Sequence, residues 1–272
     1  MRIHIRHETR YTYEEPVSYS IQTLKLTPRA DHGQRVLAWR ITTPGERIEQ
    51  VDPYGNLTHV VTFEQPHREM RILVEGVAEI DDSTPAGPDA SRLPPLAYLS
   101  PTPLTRPSDA VRELASRCVG RHPGSRRAML DLAGAIREAV VYQPGVTDVT
   151  HAADEVLALG VGVCQDHAHV LLACCRAAGI PARYVSGYLH TRPPQGGGAL
   201  QGADASHAWV SVWCPPLGWV ELDPTNGCFA GTAHVALAWG RDFSDVSPLR
   251  GVILGGAQHQ LTVAVQVLPV AA

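Results

Sequence analysis

Cys164 lies where the sequence predicts the start of a helix, a position at which a thiol can serve as a nucleophile. Small or apolar residues recur behind it on one helix face, at Ala168, Leu171, Leu172, Cys175 and Ala178. Gly179 and Pro181 predict the end of this helix, since glycine accepts the left-handed conformation and proline cannot continue a helix. The unpaired N–H groups at a helix start create a positive potential that stabilises a thiolate. Position alone leaves a second interpretation open, that of a buried structural cysteine.

Two later segments supply the imidazole and the carboxylate that a nucleophilic thiol needs. A catalytic thiol works with an imidazole that takes its proton and a third group that fixes the imidazole tautomer. His207 lies in a strand predicted over residues 205–213, and Asp223 follows a strand predicted over 218–222. A short turn makes these strands antiparallel neighbours, so the two side chains can meet. Singly they could be a core histidine and a turn residue, but the order Cys, His, Asp favours a catalytic set.

The elements around these residues predict two structural regions. Strand signals occur over residues 2–13, 21–26, 36–41, 57–63 and 72–80, which indicates an antiparallel β domain. A proline-rich connector covers 81–107. Helices are predicted over 108–118, 126–141 and 150–159, ahead of the Cys164 helix, and strands over 182–190, 205–213 and 218–222 behind it. Helices followed by an antiparallel sheet indicate an α+β core.

We therefore expect an all-β N-terminal domain over 1–100, a catalytic core over 101–250, and a C-terminal strand and tail over 251–272. The tail contains a cleanly alternating strand pattern near its end. A single strand is not stable by itself, so we expect residues 258–268 to pair with the N-terminal domain and complete a sandwich-like sheet arrangement.

Composition limits the classes of function. The 272 residues are 44% hydrophobic and 18% charged with a net charge of −4, which gives no basic surplus for nucleic acid or an anionic membrane. The start of the chain does not resemble a signal peptide, and no apolar run has membrane-spanning length, so we expect a cytoplasmic protein. None of the six cysteines forms a C-x-x-C pair, and His167 and His169 point to different helix faces. We expect no disulfide framework, no metal and no cofactor.

Three motifs in this order resemble the core motifs of the transglutaminase-like superfamily, a papain-like group of transglutaminases, peptidases and amidases. They are Gly162-Val163-Cys164-Gln165-Asp166, His207-Ala208-Trp209-Val210 and Trp219-Val220-Glu221-Leu222-Asp223-Pro224-Thr225. The N-terminal part is similar to the β region that precedes this core in bacterial members, at Tyr11-Thr12-Tyr13, Leu26-Thr27-Pro28-Arg29 and Asp52-Pro53-Tyr54-Gly55-Asn56. Residues 240–248 also resemble the bacterial type. One departure is His167, where many relatives carry a bulky apolar residue, and we assign it no catalytic role.

The resemblance implies that Cys164 is the nucleophile, His207 the general base and acid, and Asp223 the residue that orients His207. The substrate would be a peptide or protein carboxamide or peptide bond, attacked to give a thioester. The Cys164 backbone N–H is the first candidate donor to the oxyanion. Further residues that could donate to the oxyanion or line the substrate site are Tyr142, Gln143, Gln165 and Trp209.

Several functions remain open at this point. Water resolving the thioester would make the protein a hydrolase, which we favour because water is always present, whereas an amine acceptor needs a site of its own. Amine attack would make it an acyltransferase, and loops such as 191–202 would decide between the two. A non-catalytic binding or assembly module is a third possibility, although binding alone does not require all three residues. A zinc hydrolase would need ligand motifs that the sequence lacks. The sequence gives no oligomeric state.

Overall fold

The computed structural model describes residues 1–31, 33–81, 93–120, 124–191, 206–256 and 258–270. The loop expected over 191–202 lies, apart from its first residue, outside this range, as does part of the proline-rich connector. The structure has a β-rich N-terminal region followed by a core of helices and an antiparallel sheet. This confirms the predicted α+β fold class.

The N-terminal sheet is built around one long strand, β1. Its seven antiparallel strands are β1 (Arg2–Leu24), β2 (Gln34–Thr42), β3 (Glu46–Val51), β4 (Leu57–Phe63), β5 (His67–Ile80), β13 (Leu249–Gly255) and β14 (His259–Pro269). The first half of β1 lies between β5 and β14, and its second half lies between β4 and β13. Because β1 changes partners midway, one strand is shared by two groups of strands. The sequence predicted two separate strands here, and the structure joins them across a register shift between Thr12 and Val17.

In the described residues, the core that follows this sheet contains five helices and the remaining strands. The helices are α1 (Asp109–Val119), α2 (Arg126–Ala139), α3 (Ala153–Leu159), α4 (Cys164–Ala177) and α5 (Phe243–Val246), preceded by two 3₁₀ turns at Pro95–Tyr98 and Pro103–Thr105. The strands are β6 (Val141–Tyr142), β7 (Val161–Gly162), β8 (Ala182–Leu189), β9 (Ser206–Cys214), β10 (Gly218–Asp223), β11 (Cys228–Phe229) and β12 (His234–Gly240). Five of them form an antiparallel sheet in the order β11-β10-β9-β8-β12, and β6 pairs in parallel with β7.

Helix α4 is the central element of the core. Eleven of its fourteen residues are buried, because α1, α2 and α3 contact it on one side and β8 and β9 on the other. Its apolar residues share one hydrophobic cluster with residues of all these elements, among them Leu171, Leu172, Leu132 and Val210. A helix that is packed on all sides is rigid, and its first residue, Cys164, is therefore held in a fixed place.

The N-terminal sheet packs directly against the core. Tyr188 of β8 and Val235 and Leu237 of β12 belong to the same buried cluster as the apolar residues of β1 and β5. The Tyr188 hydroxyl also lies 2.7 Å from Nδ1 of His7 in β1. The C-terminal strand β14 returns to this region and pairs with β1 from Ile3 to Tyr13. Among the described helices, none is long and apolar enough to cross a lipid bilayer.

Some element boundaries differ from the sequence predictions. Helix α2 ends at Ala139 and not at residue 141, because the next residues leave the helix to pair with β7. Strand β12 was not predicted at all. All seven of its residues are buried, so the strand shows no alternation of apolar and polar residues.

Candidate active site

Cys164 is the first residue of α4, and the turn in front of it is held by a carboxylate. Asp166 folds back so that its Oδ2 accepts a hydrogen bond from the Val163 N–H (2.7 Å) and one from the Thr147 hydroxyl (2.6 Å). Gly162 has no space for a side chain, since an added Cβ would lie 2.7 Å from the Asp166 Cβ and 2.8 Å from its Oδ2. Glycine two residues before the thiol is therefore required by the close approach of Asp166.

The pairing of β6 with β7 brings Tyr142 and Gln143 next to this turn. Tyr142 pairs with Gly162, and the Gln143 N–H donates to the Gly162 carbonyl at 2.8 Å. The Gln143 backbone donor is thus already used, and its side chain is exposed. Tyr142 is 45% exposed and faces the ring of His167 at 6.3 Å. Gln165, the second residue of α4, is half-buried.

His207 and Asp223 meet at the adjacent ends of β9 and β10. Nε2 of His207 lies 2.8 Å from Oδ2 of Asp223. The same oxygen accepts a hydrogen bond from the Asn226 side-chain amide (2.6 Å), and Oδ1 accepts the backbone N–H groups of Thr225 and Asn226 (both 3.0 Å). The side chain of Asp223 is fully buried and that of His207 nearly so. The carboxylate therefore points at His207 in one fixed orientation.

The electrostatics of this arrangement favour a charged pair. Burial alone would lower the pKa of His207, but hydrogen bonds from its ring to Asp223 and to the Cys164 thiol outweigh burial and raise the pKa to about 10. Burial alone would raise the pKa of Asp223, but its hydrogen bonds from His207 and His234 hold that pKa far below its usual range. At neutral pH the His207 ring is an imidazolium between a carboxylate and the thiol of Cys164. Since Nε2 faces Asp223, Nδ1 is the ring nitrogen left for the thiol.

The other five cysteines share one property. Burial raises the pKa of each of their thiols: Cys118, Cys174, Cys175, Cys214 and Cys228. For Cys174 the value reaches about 12 and for Cys214 about 11. Cys228 is the exposed one. Even this accessible thiol has a raised pKa, so exposure alone does not make Cys228 a ready thiolate.

A second histidine, which the sequence analysis did not find, contacts the same carboxylate. Nε2 of His234, the first residue of β12, lies 3.1 Å from Oδ2 of Asp223. Its Nδ1 lies 3.2 Å from the Gly231 N–H, which can only donate. Nδ1 is therefore the acceptor and Nε2 carries the proton, which makes His234 a donor to Asp223. The available sequence signal was a histidine directly before a run of small and apolar residues, a pattern that His207 shares.

The remaining predicted residues have the following places. Trp209 is fully buried, and its indole N–H donates to Glu221 at 2.8 Å, so it cannot supply an oxyanion donor and does not reach the surface. It packs behind the histidines, with its ring 6.1 Å from that of His207 and 5.2 Å from that of His234. His167, to which no catalytic role was assigned, joins α4 to the Asp223 loop, because its Nδ1 lies 3.0 Å from the Thr225 hydroxyl oxygen.

In the part of the chain that the structure describes, one group of side chains has the residue types of a metal site. It consists of His207, Asp223 and His234, whose ligand atoms all lie within 4.8 Å of one another. A metal-bound Nε2 requires a proton on Nδ1, and this proton normally faces an acceptor. In His234, Nδ1 faces the Gly231 N–H. A metal ion at Nε2 would therefore place the Nδ1–H proton against the Gly231 N–H. The donor set therefore suits a hydrogen-bond network better than a metal ion.

Comparison with known proteins gives the family. The profile of the bacterial transglutaminase-like N-terminal region matches residues 3–79, and that of the transglutaminase-like superfamily matches residues 112–224. An uncharacterized protein of Mycobacterium tuberculosis is 36% identical over 291 residues, covering 98% of this chain and 93% of the relative. The protein-glutamine gamma-glutamyltransferase of Pseudomonas aeruginosa is 36% identical over 88 residues, 32% of this chain and 13% of that protein.

A solved structure shows the same architecture. The crystal structure of a candidate cysteine protease from Cytophaga hutchinsonii has a TM-score of 0.78 at 20% identity, covering 100% of this chain and 91% of that one. At this identity the likeness establishes the fold and no activity. The match of both regions in their order, together with relatives aligned over almost their whole length, shows that the chain belongs to the transglutaminase-like superfamily, in the bacterial form that carries a β-rich N-terminal region.

Proposed function

We propose that the protein is a cysteine hydrolase that cleaves an amide or peptide bond through a thioester on Cys164. The observation that carries this proposal is the buried hydrogen bond between the His207 ring and the Asp223 carboxylate, beside a Cys164 thiol whose interaction with the ring contributes to the raised pKa of His207. An imidazolium held beside a thiol at a helix start stabilises the thiolate, which is the nucleophilic form. A purely structural cysteine would not require this neighbour.

Acylation uses the proton that His207 holds. The Cys164 thiolate attacks the carbonyl carbon of the substrate and forms a tetrahedral intermediate. As this intermediate collapses, His207 donates its Nδ1 proton to the leaving nitrogen and the C–N bond breaks. The products of this half-reaction are a free amine or ammonia, a thioester on Cys164 and a neutral His207 ring.

Deacylation returns the proton. The neutral His207 takes a proton from a water molecule while the water oxygen attacks the thioester carbonyl. The C–S bond then breaks, the acid is released, and the thiolate and imidazolium form again. Asp223 accepts the Nε2–H throughout, so the ring keeps the orientation in which Nδ1 faces the sulfur. The net reaction consumes one amide and one water and yields an acid and an amine.

The negative oxygen of the tetrahedral intermediates needs donors aimed at it. We propose the Cys164 backbone N–H as the first, because it lies at the start of α4, where the helix has unpaired N–H groups and a positive potential. Tyr142 and the Gln143 and Gln165 side chains remain candidates for the second donor, since β6 runs beside the turn that leads to Cys164.

Acyl transfer to an amine is the second candidate function. The aligned segment of the Pseudomonas aeruginosa protein-glutamine gamma-glutamyltransferase favours it. The thioester is common to both reactions, and only the group that resolves it differs. We favour hydrolysis because water needs no binding site of its own, whereas an amine must be held in place.

Incubation with glutamine-containing and unmodified peptides, with and without a primary amine, separates these functions by product mass. Free acid or a cleaved peptide indicates hydrolysis, and an amine adduct indicates transfer. We expect Cys164→Ala to abolish both products while Cys228→Ala, which removes the exposed thiol, leaves them unchanged. Equal product from wild type and Cys164→Ala, or no product across a peptide library, would contradict catalysis and favour a binding module.

The proposal includes a peptide or protein substrate and a cytoplasmic location. All six cysteines are free thiols, which fits a reducing compartment. Fractionation of cells that express the full chain tests the location, and recovery in the periplasmic or secreted fraction would contradict it.

A further inference from the structure

The hydrogen bonds of His234 allow its ring to act only as a donor to Asp223. Its Nδ1 accepts the Gly231 N–H at 3.2 Å, and its Nε2–H points at Asp223 Oδ2 at 3.1 Å. Both ring nitrogens are thus used, with one acting as acceptor and the other as donor. The ring is a neutral imidazole in a single tautomer. Its side chain is only 8% exposed, so it is part of the packed interior behind the site.

His234 and His207 share a single carboxylate oxygen. Oδ2 of Asp223 receives the His207 ring at 2.8 Å, the His234 ring at 3.1 Å and the Asn226 amide at 2.6 Å. Each donor withdraws electron density from this oxygen and so weakens the hydrogen bonds that the other donors make to it. The His207–Asp223 hydrogen bond is therefore weaker than it would be if His207 were the only ring on this oxygen.

The fold brings His234 to this place across the sheet. Strand β12 lies at the opposite edge from β10 and β11, and the chain returns over the strand ends between them. Gly187 of β8 makes the approach possible, because an added Cβ there would lie 2.2 Å from the Val235 carbonyl oxygen and 2.5 Å from Cη2 of Trp209. The Trp209 ring then packs edge-on against His234, and the buried indole keeps the imidazole in line with Asp223.

We propose that His234 is a positioning residue. It holds the Asp223 carboxylate in place and limits how strongly that carboxylate binds the Nε2–H of His207. The proposal rests on the proposed catalytic role of Cys164 and His207. His207 must release its Nδ1 proton to the leaving nitrogen, and an imidazolium bound too tightly to its carboxylate is a weak acid. By sharing Oδ2, His234 prevents the carboxylate from stabilising the imidazolium so strongly that His207 could not act as the general acid.

Other titratable groups lie near this pair. Cys164 of α4 interacts with His207, and His167 of α4 and Cys228 of β11 interact with Asp223. Glu221 of β10 accepts a hydrogen bond from the Trp209 indole, which packs against His234. Among the described hydrogen bonds to the Asp223 side chain, the donors besides the two histidines are Thr225 and Asn226. Removal of His234 therefore changes one donor on this carboxylate and leaves the other donors in place.

The test compares His234→Met, which removes the donor, with His234→Gln, whose side-chain amide can still donate to Asp223. His59→Met is the control, since it removes a buried imidazole of the N-terminal sheet. We expect the low-field proton resonance of the His207 Nε2–H to move further downfield in His234→Met, and turnover at neutral pH to fall by about 3- to 10-fold with KM unchanged. Resonance and turnover should return toward wild type in His234→Gln and stay unchanged in His59→Met.

Three results would overturn the proposal. They are an unmoved resonance in His234→Met, equal losses in His234→Met and His234→Gln, or nitrogen chemical shifts that place the His234 proton on Nδ1. Failure of the proposed function looks different, because wild-type Cys164 would then show no enhanced alkylation by iodoacetamide. That measurement needs no substrate and leaves the His207 resonance available for comparison.

Discussion

Replacing Asp223 by Asn tests the electrostatic part of the site. Five donor contacts converge on this carboxylate, three at Oδ2 and two at Oδ1. An amide has only one acceptor oxygen, so in either orientation its NH₂ group faces N–H donors. If the NH₂ group takes the place of Oδ2, His207 loses its acceptor, and the Asn226 and His234 donors also face an N–H group. If it takes the Oδ1 side, the Thr225 and Asn226 N–H groups are opposed.

The magnitude follows from the charge that is removed. The pKa of His207 is raised to about 10 by hydrogen bonds to Asp223 and Cys164 that outweigh burial, and burial alone lowers it. Without the carboxylate the balance moves toward burial, and the ring at neutral pH loses its proton and its fixed orientation. We expect kcat/KM to fall by about 10³- to 10⁴-fold, which corresponds to a loss of about 4 to 5.5 kcal/mol of transition-state stabilisation. We expect the unsatisfied donors to lower the free energy of unfolding by about 1 to 3 kcal/mol.

The assay measures kcat/KM on the peptide identified from the library, together with the melting temperature. Asp245→Asn is the matched control, because Asp245 is also a hydrogen-bonded carboxylate but bonds to Tyr54 and Arg241 away from Cys164. It should lose stability and keep its turnover per folded molecule. A folded Asp223→Asn protein within about tenfold of wild type in kcat/KM, or an equal loss of turnover in Asp245→Asn, would refute the reasoning.

Three further predictions concern pH and packing. The descending limb of the pH profile of kcat/KM should lie near pH 10, because it follows deprotonation of His207; a limb near pH 7 would contradict the proposed ion pair. Gly162→Ala should lower the free energy of unfolding by about 1 to 3 kcal/mol, because the added methyl group displaces Asp166. The control is Gly134→Ala in the interior of α2, where an added methyl group has free space. Thermal denaturation of both variants tests this difference. Burial lowers the pKa of His7 and His169 from 6.5 to about 4, so below pH 6.5 the unfolded state binds more protons than the folded state. As the pH is lowered from 6.5 to 4, the free energy of unfolding should therefore fall by about 1.4 kcal/mol per pH unit for each histidine. Denaturant titrations that show no such fall would contradict this.

The beginning of α4 could be predicted because its signals are local. Gly162, the apolar face behind Cys164 and the stop at Gly179 all lie within one short segment, and the structure starts the helix at Cys164. The meeting of His207 with Asp223 could also be inferred, since a hairpin with a short turn fixes which residues are neighbours. Both inferences needed only residues that are close in sequence.

His234 could not be placed in the same way. Its strand β12 is buried on both faces: Val235 and Leu237 pack toward the N-terminal sheet, and Ala236 and Trp239 pack beside Trp209. A strand of this kind has no alternation from which its faces can be identified. Its contact with Asp223 depends on the chain crossing from one edge of the sheet to the other, which no local pattern encodes.

The position of Tyr142 shows the same limit on the helical side of the core. The residues up to 141 continue the apolar spacing of α2, and the sequence extends the helix through them. The structure instead pairs Val141 and Tyr142 in parallel with β7, which lies about twenty residues further along the chain. This pairing, and not helix propensity, decides which side chains lie beside Cys164.

The central claim is that Cys164 is an activated nucleophile, and competitive alkylation tests it most directly. The full-length protein is treated with limiting iodoacetamide at neutral pH, and each cysteine-containing peptide is quantified by mass spectrometry. Cys228 is the internal standard, because it is exposed while Cys164 is half-buried. Partial burial raises the pKa of the Cys228 thiol. We predict that Cys164 reacts faster than Cys228 and that Asp223→Asn removes this advantage. Labelling that follows exposure, with Cys228 first, would contradict the account.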